Sequence, residues 1–400
     1  MSYVRRSHVM IDLDSICSAV VYSYIASISP QHRKPAVFHI PLLNIPRADI
    51  ALRPELLAAL PYANIGKEHL ITLDDLGDES TWERRIPPAD TRWILVDHNT
   101  LQGKLGQLYG KSVVGTIDHH VDEGSVPHDM ENEPRIIGTS GSCASLVVNH
   151  FAPTWDSWFL YVSFSGAANG QGDNLIEDGA FATLWDAQVA HLALAAALID
   201  TTDLEDANKT TQHDRQAVGY LEAKIKLSQK MGKTYNRRAF FELVAGAKQD
   251  LDGLSVRDVL RKDYKQWTEG RLLLGTSSVV QPLSYLEAKA RKEGNGDEDL
   301  AELSARFAAE REMDVLAIIT GYTTEGGAFH REVSLLSHSE SGKRVILQFE
   351  KAAGPQLQLQ EQVRTEERGR FRVAWQQGNL AASRKQVAPM LREAMLTVQG

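Results

Sequence analysis

The chain has 400 residues, 43% hydrophobic and 24% charged, with 43 Lys plus Arg against 52 Asp plus Glu and a net charge of -9. That length holds two domains with separate cores and excludes one small domain, and the composition excludes disorder and internal repeats. The excess of acid argues against broad electrostatic binding of nucleic acid or of an anionic membrane, so an anionic ligand has to meet a local basic patch.

In chain order, "VMIDLDSICSAV" (9–20) places Asp12 and Asp14 just ahead of an apolar helical run. Helix capping accounts for one carboxylate there, and a metal site would account for both. Short β-like runs ("AVFHI", "HLITL", "RWILVDH", "SVVGTIDHH") then alternate with helical patterns ("SICSAVVYSYIASI", "RPELLAALPYA", "GSCASLVVNHF"). This is the pattern of βαβ units and of a parallel, doubly wound sheet in an α/β domain. "WILV" and "SVVGTI" are apolar on both faces, as strands covered by helices on each side should be, and each is followed by an acidic residue. "SGAANGQGDN" (165–174) reads as an exposed loop. After the Ala-rich "QVAHLALAAALID", a polar, charged stretch is expected to hold a connecting helix and linker. The boundaries expected are 1–212 for the first domain, 213–238 for the linker helix and 239–400 for a second, smaller α/β domain with a mixed sheet. That domain combines strands ("RLLLGTSSVV", "DVLAIIT", "REVSLLS", "RVILQF") with helices ("LAELSARFAAEREM", "RKQVAPMLREAM"). Cys17 and Cys143 are the only cysteines and are not at CxxC spacing, which suggests buried reduced thiols and a cytoplasmic location. No apolar run reaches the roughly 18 residues of a membrane span, and "MSYVRRSHVM" lacks a signal peptide's hydrophobic stretch.

Four acidic clusters end or follow apolar runs in the first domain: Asp12 with Asp14, Asp97 in "LVDHN", Asp118 with His119 and His120 in "TIDHH", and Asp200 in "ALIDTTD". On parallel strands they would converge at one sheet edge, where uncompensated carboxylates raise one another's pKa. Divalent cations remove that repulsion, and oxygen plus imidazole donors suit Mn²⁺ or Mg²⁺. "DLDSIC" is not a calcium loop, because Ile16 occupies its fifth position and no Gly follows.

"DLDS", "VDHN", "DHH" and "LIDTTD", in this order and spacing, resemble the DHH phosphoesterase superfamily, whose members hydrolyse phosphoanhydrides or phosphodiesters with two metals. The resemblance implies that His8, Asp12, Asp14, Asp97, His119 and Asp200 bind two divalent cations, Mn²⁺ or Mg²⁺ with Co²⁺ as a substitute. It makes Asp97 the bridging ligand, Asp97, His119 and His120 the catalytic set, and His120 a contact to substrate phosphate. "RKDYKQW" and "SRKQVAP" resemble paired motifs of the branch that contains family II inorganic pyrophosphatases, prune proteins and fungal exopolyphosphatases. By that resemblance Lys265, Arg384 and Lys385 bind phosphate across an interdomain cleft, with His330 and Arg331 as further candidates. "HIPLLNIPRADIALR", "ENEPRIIGTSGSCASLV" and "LSVRDVLRKDYKQW" extend the similarity to the yeast-type exopolyphosphatases over nearly the whole chain.

The expected activity is release of orthophosphate from inorganic polyphosphate, without nucleic-acid or membrane partners and with no oligomeric state implied. His8 and His98 stand where yeast-type enzymes tend to carry Asn, which keeps pyrophosphate as the alternative substrate. A prune-like scaffold with an inactive site is the other alternative. "GGAFH" is followed by "REVSLL", unlike the GGGH motif of nucleic-acid-cleaving members. Only "MSYVRRS" precedes His8, so the family's first strand is expected to be abbreviated or to lie in an upstream extension.

Overall fold

The computed structural model describes residues 12–28, 38–129, 133–168, 175–294 and 298–399, with the backbone alone over 158–180. His8 and the first strand sought around it lie outside those residues. The chain divides into two units, one reaching Lys248 and the other starting at Gln249.

The first unit holds strands β1 (Leu42–Leu43), β2 (Ile71–Thr72), β3 (Trp93–Val96), β4 (Val113–Asp118) and β5 (Arg135–Ile137). Its helices are α1 (Leu13–Ile28), α2 (Pro54–Ala59), α3 (Trp82–Arg85), α4 (Gly103–Tyr109), α5 (Cys143–Ala168), α6 (Leu175–Thr201), α7 (Gln212–Leu227) and α8 (Arg237–Gln249). Strands β3, β4 and β5 form a parallel sheet in that order, with Val96 opposite Ile117 and Ile117 opposite Ile136. Because all three run the same way, Asp97, the Asp118–His120 segment and the loop 138–142 leave the sheet at one edge. The apolar faces of α1, α5, α6 and α7 pack together beside it, and the run Ala193–Leu198 of α6 is almost wholly buried. Phe181–Thr201 within α6 is long and apolar enough to cross a membrane by composition, contrary to the expectation of no such run. Most of it is spent on the core, as in a soluble-protein core helix.

Three expectations for this unit change. "AVFHI" forms no strand over Phe38–Ile40, and α5 continues through 165–168, where a loop was expected. The division falls at Lys248, later than the expected linker. The reason is packing: α7 buries Ala217, Val218, Leu221 and Ile225 against α5 and α6, and α8 buries Phe240 and Val244. A helix with so wide an apolar face is part of a core.

The second unit has helices α9 (Val256–Lys262), α10 (Leu283–Glu293), α11 (Leu300–Glu310), α12 (Glu340–Leu357) and α13 (Arg384–Gln399). Its strands are β6 (Tyr264–Glu269), β7 (Leu272–Val279), β8 (Val315–Thr320), β9 (Tyr322–Thr323), β10 (Phe329–His330), β11 (Glu332–Ser337), β12 (Leu359–Glu367) and β13 (Arg370–Gln377). Six strands form a mixed sheet in the order β12-β13-β11-β8-β7-β6, parallel only between β7 and β8. "RVILQF", expected as a strand, lies inside α12. Ser339 caps that helix through Gly342 N, and Val345, Ile346, Phe349, Ala353 and Leu357 recur at helical spacing on the core face. A short apolar run read by itself does not distinguish the two periods.

Thr202, Asp203 and Leu204, which follow α6, all have left-handed backbone, with φ of 53°, 56° and 67°. Each such L-residue costs about 1–2 kcal/mol. The turn is held by Asp203 N on Leu198 O at 2.8 Å, Asp206 N on Thr201 O at 3.0 Å, and the Asp203 carboxylate beside Arg237 at 3.1 Å. Thr202 is exposed and β-branched. Thr202→Gly is therefore expected to raise stability by about 1 kcal/mol and the melting temperature by about 2–4 °C in a thermal scan. A drop would show that the turn is not strained.

Candidate metal centre and phosphate contacts

Both opening carboxylates serve helix N-termini, which is more than the single cap that sequence reasoning allowed. Asp12 Oδ1 accepts from Asp14 N at 3.0 Å and Ser15 N at 3.2 Å, capping its own helix α1. Asp14 reaches 129 residues along the chain to the start of α5. Its Oδ2 accepts from Cys143 N at 2.6 Å, and its Oδ1 from Ala144 N at 2.9 Å and Ser142 Oγ at 2.8 Å. Burial, with Asp12 next to it, nonetheless holds the Asp14 carboxyl above its ordinary range.

Asp97 follows β3 in a left-handed conformation, φ 61°. Its amide donates to Ile117 O at 2.9 Å and Cys143 Sγ at 3.2 Å, and its Oδ2 accepts from Ser15 Oγ. The buried Oδ1 has no hydrogen bond among the described residues; it faces His119 Nε2 at 3.2 Å and His120 Nδ1 at 3.7 Å. Strain and an orphaned buried acceptor at one residue mark a functional position.

His119 Nδ1 lies 3.0 Å from Ser140 O, so that nitrogen carries the proton and donates it to the carbonyl. Nε2 faces the acceptor Asp97 Oδ1, so a cation, either a proton on Nε2 or a metal ion, has to lie between them. With a proton as the only cation, burial opposes charge on His119, but the facing Asp97 and Asp14 prevail and put its pKa at about 10. Burial and Asp14 push Asp97 up to about 7. Asp200, near the end of α6, has a buried Oδ2 without a hydrogen bond among the described residues. Burial and the fields of Asp14 and Asp12 drive it well above the carboxylate range, opposed by Lys248 of α8. Asp97, His119 and His120 offer donor atoms within 4.8 Å of one another, a candidate metal site.

The donor chemistry fits a hard divalent ion. The only thiols nearby, Cys17 and Cys143, are free and buried, and burial with Asp14 raises both far above the ordinary thiol range. Protonated thiols are not ligands, and Cys143 Sγ is already used between Asp97 N and Ile117 O. His120 differs from His119. Its Nδ1 and its amide both bind Asp118 Oδ1, at 2.8 and 3.1 Å, and that hydrogen bond raises its pKa while the ring stays largely exposed. Burial alone would raise Asp118, but His120 and Asn99 Nδ2, at 2.6 Å, hold it below the ordinary range. The site thus brings together Asp12, Asp14, Asp97, His119, His120 and Asp200, with the half-buried His98 ring beside His120.

The second unit joins its two sequence motifs. Arg384, at the start of α13, donates from Nη1 to Asp263 Oδ1 at 2.7 Å and to Asp263 O at 2.9 Å. Lys265, two residues further on β6, and Lys385 are exposed. Arg331 donates from Nε to Leu380 O at 2.8 Å, in the loop before α13, and lies over Phe329, while the His330 ring stacks on Tyr322. Sequence reasoning missed Ser15, Asn99, Asp214 and the 140–143 loop. The run "GTSGSC" entered only within a helical pattern and a stretch of family resemblance, though its Ser and Gly content is the signal of a chain turning tightly onto polar partners.

The DHHA2 domain family matches residues 243–394. The chain is 33% identical over 387 residues to the Schizosaccharomyces pombe protein named "Putative exopolyphosphatase", spanning 97% of this chain and 89% of that one. It is 25% identical to Exopolyphosphatase PRUNE1 of Homo sapiens, over 96% of this chain and 73% of that one. The crystal structure of a Methanococcus jannaschii "putative family II inorganic pyrophosphatase" shares the fold, with a TM-score of 0.50 at 18% identity, covering 96% of each chain. Identity at this level, over nearly all of both chains, means that the chain belongs to the DHH superfamily, in the group that holds the exopolyphosphatase-named and prune proteins.

Proposed function

We propose that the chain is a metal-dependent phosphoanhydride hydrolase that releases terminal orthophosphate from inorganic polyphosphate. The observation that supports this reading is the buried Asp97 Oδ1 facing His119 Nε2 at 3.2 Å, with the other ring nitrogen occupied by Ser140 O, beside a second orphaned carboxylate at Asp200. Asp97, His119, Asp12, Asp14 and Asp200, with His8, would hold two divalent ions, Mn²⁺ or Mg²⁺, with Co²⁺ able to replace them. Such ions supply Lewis-acid charge to the transferring phosphoryl group and lower the pKa of water to about 7. The Ser140 carbonyl fixes the tautomer that leaves His119 Nε2 available. His120, whose pKa the Asp118 hydrogen bond raises, would offer its outer nitrogen to a phosphate oxygen. Lys265, Arg384, Lys385 and Arg331 would neutralise the remaining phosphates, with His330 as a further phosphate contact. The free, buried thiols support a reducing compartment, so the cytoplasm is the proposed location.

The substrate test compares inorganic polyphosphate with pyrophosphate. Both offer the same terminal phosphoryl group, so preference must come from contacts beyond the second phosphate. With Lys265, Arg331, Arg384 and Lys385 of the second unit to meet a longer chain, kcat/KM is expected to favour polyphosphate by about tenfold or more and to fall steeply with salt. Initial rates at matched free metal and two ionic strengths check it. A preference for pyrophosphate with little salt dependence would transfer the assignment to a pyrophosphatase.

A further inference from the structure

Asp214, in the first turn of α7, is fully buried and has no place among the metal or phosphate residues. Its Oδ2 accepts from Thr211 N at 2.7 Å and Thr211 Oγ1 at 2.8 Å, an ordinary capping box. The rest of the carboxylate reaches more than 70 residues back along the chain to the loop between β5 and α5. There Oδ1 accepts from Ser140 Oγ at 2.9 Å and Ser142 N at 3.2 Å, and Oδ2 accepts from Gly141 N at 2.9 Å. Two of these three residues face the metal candidates with their other polar groups: Ser140 O accepts from His119 Nδ1, and Ser142 Oγ donates to Asp14. The fit is close, since a Cβ on Gly141 would lie 2.5 Å from Thr201 Cγ2 and 3.0 Å from Asp214 Oδ2.

We infer that Asp214 is a positioning residue for the metal centre, acting through the 140–142 loop to set the His119 tautomer and the Asp14 carboxylate together. The inference rests on the metal reading of that centre. Only a carboxylate serves, because every contact it makes is with a donor. An Asn side chain turns its own N–H groups against at least one of the Gly141, Ser142 and Thr211 amides. Outer partners of this kind typically change metal affinity 10–100-fold.

The test titrates Mn²⁺ calorimetrically into the chelator-stripped full chain as wild type, Asp214→Asn and Thr211→Val. Thr211→Val removes the hydroxyl contact on the capping side alone. It is expected to lower thermal stability and to bind Mn²⁺ as the wild type does. Asp214→Asn is expected to bind Mn²⁺ about 10–100-fold more weakly, and its imidazole ¹⁵N spectrum to lose the Nδ1–H form of His119. If Asp214→Asn loses affinity no more than Thr211→Val, the residue is only a cap and the inference falls. Should Asp214→Asn fail to fold, Ser140→Ala removes one link to Asp214 and keeps the carbonyl that His119 uses. It must then weaken Mn²⁺ binding, and unchanged binding overturns the proposal. A wild type that binds no Mn²⁺ would overturn the metal reading and this inference with it, whereas wild-type binding matched by Asp214→Asn overturns the inference alone.

Discussion

Asp97→Asn is expected to cut phosphate release by about 100-fold or more while making the metal-free protein more stable. The two effects have opposite signs for one reason. Without a metal, the Asp97 carboxylate is pushed up to about 7, because burial and the neighbouring Asp14 outweigh the His119 contact that lowers it. A neutral amide removes that repulsion and, with the Asp97 charge that helps hold a second proton on His119 gone, can donate to Nε2, so the melting temperature of the chelator-treated chain should rise. Asn tolerates the left-handed backbone at φ 61°, and its oxygen can still accept from Ser15, which keeps the fold intact. With metal present, the variant would lack one of the carboxylates that would hold the ions. Parallel thermal scans and initial rates decide: wild-type activity in the variant would remove Asp97 from the centre, and a loss of stability would remove the electrostatic argument.

Arg384→Ala is expected to lower kcat/KM for polyphosphate by about 100-fold, with Mn²⁺ affinity unchanged. The guanidinium is anchored by one nitrogen, Nη1, on the carboxylate and carbonyl of Asp263, which points the rest of the fork in a fixed direction. That leaves donors for a phosphate at little entropic cost. Arg384→Lys should recover only a small part of the loss, because an ammonium cannot hold Asp263 and present a planar edge to phosphate together. Full recovery by Lys would reduce the role to bulk charge, and unchanged kinetics in the Ala variant would make the Arg384–Asp263 pair an ordinary surface ion pair.

The metal candidates were legible because two separate patterns met: apolar strands that end in acid, and a βαβ order that forces those ends to one edge. Asp97, Asp118 and His119 follow from that reasoning alone. Asp200 was singled out with them as an acidic cluster after an apolar run, but it ends a helix, not a strand, so its role as a ligand rests on the family resemblance. What stayed hidden acts through the backbone across long stretches of chain. Asp14 caps a helix 129 residues away, Arg384 meets Asp263 over 121, and Asp214 holds amides over 72. No local periodicity encodes such pairings. "RVILQF" was misassigned for the converse reason: its six residues satisfy the strand pattern, and only Ser339 before it and Ala353 and Leu357 after it disclose the helix.

The most direct measurement titrates Mn²⁺ into chelator-stripped protein and follows bound metal and phosphate release from polyphosphate in the same samples. The two-metal account predicts no release without metal, and activity that rises as the second equivalent binds. Full activity in the stripped protein, or after a single equivalent, would contradict it.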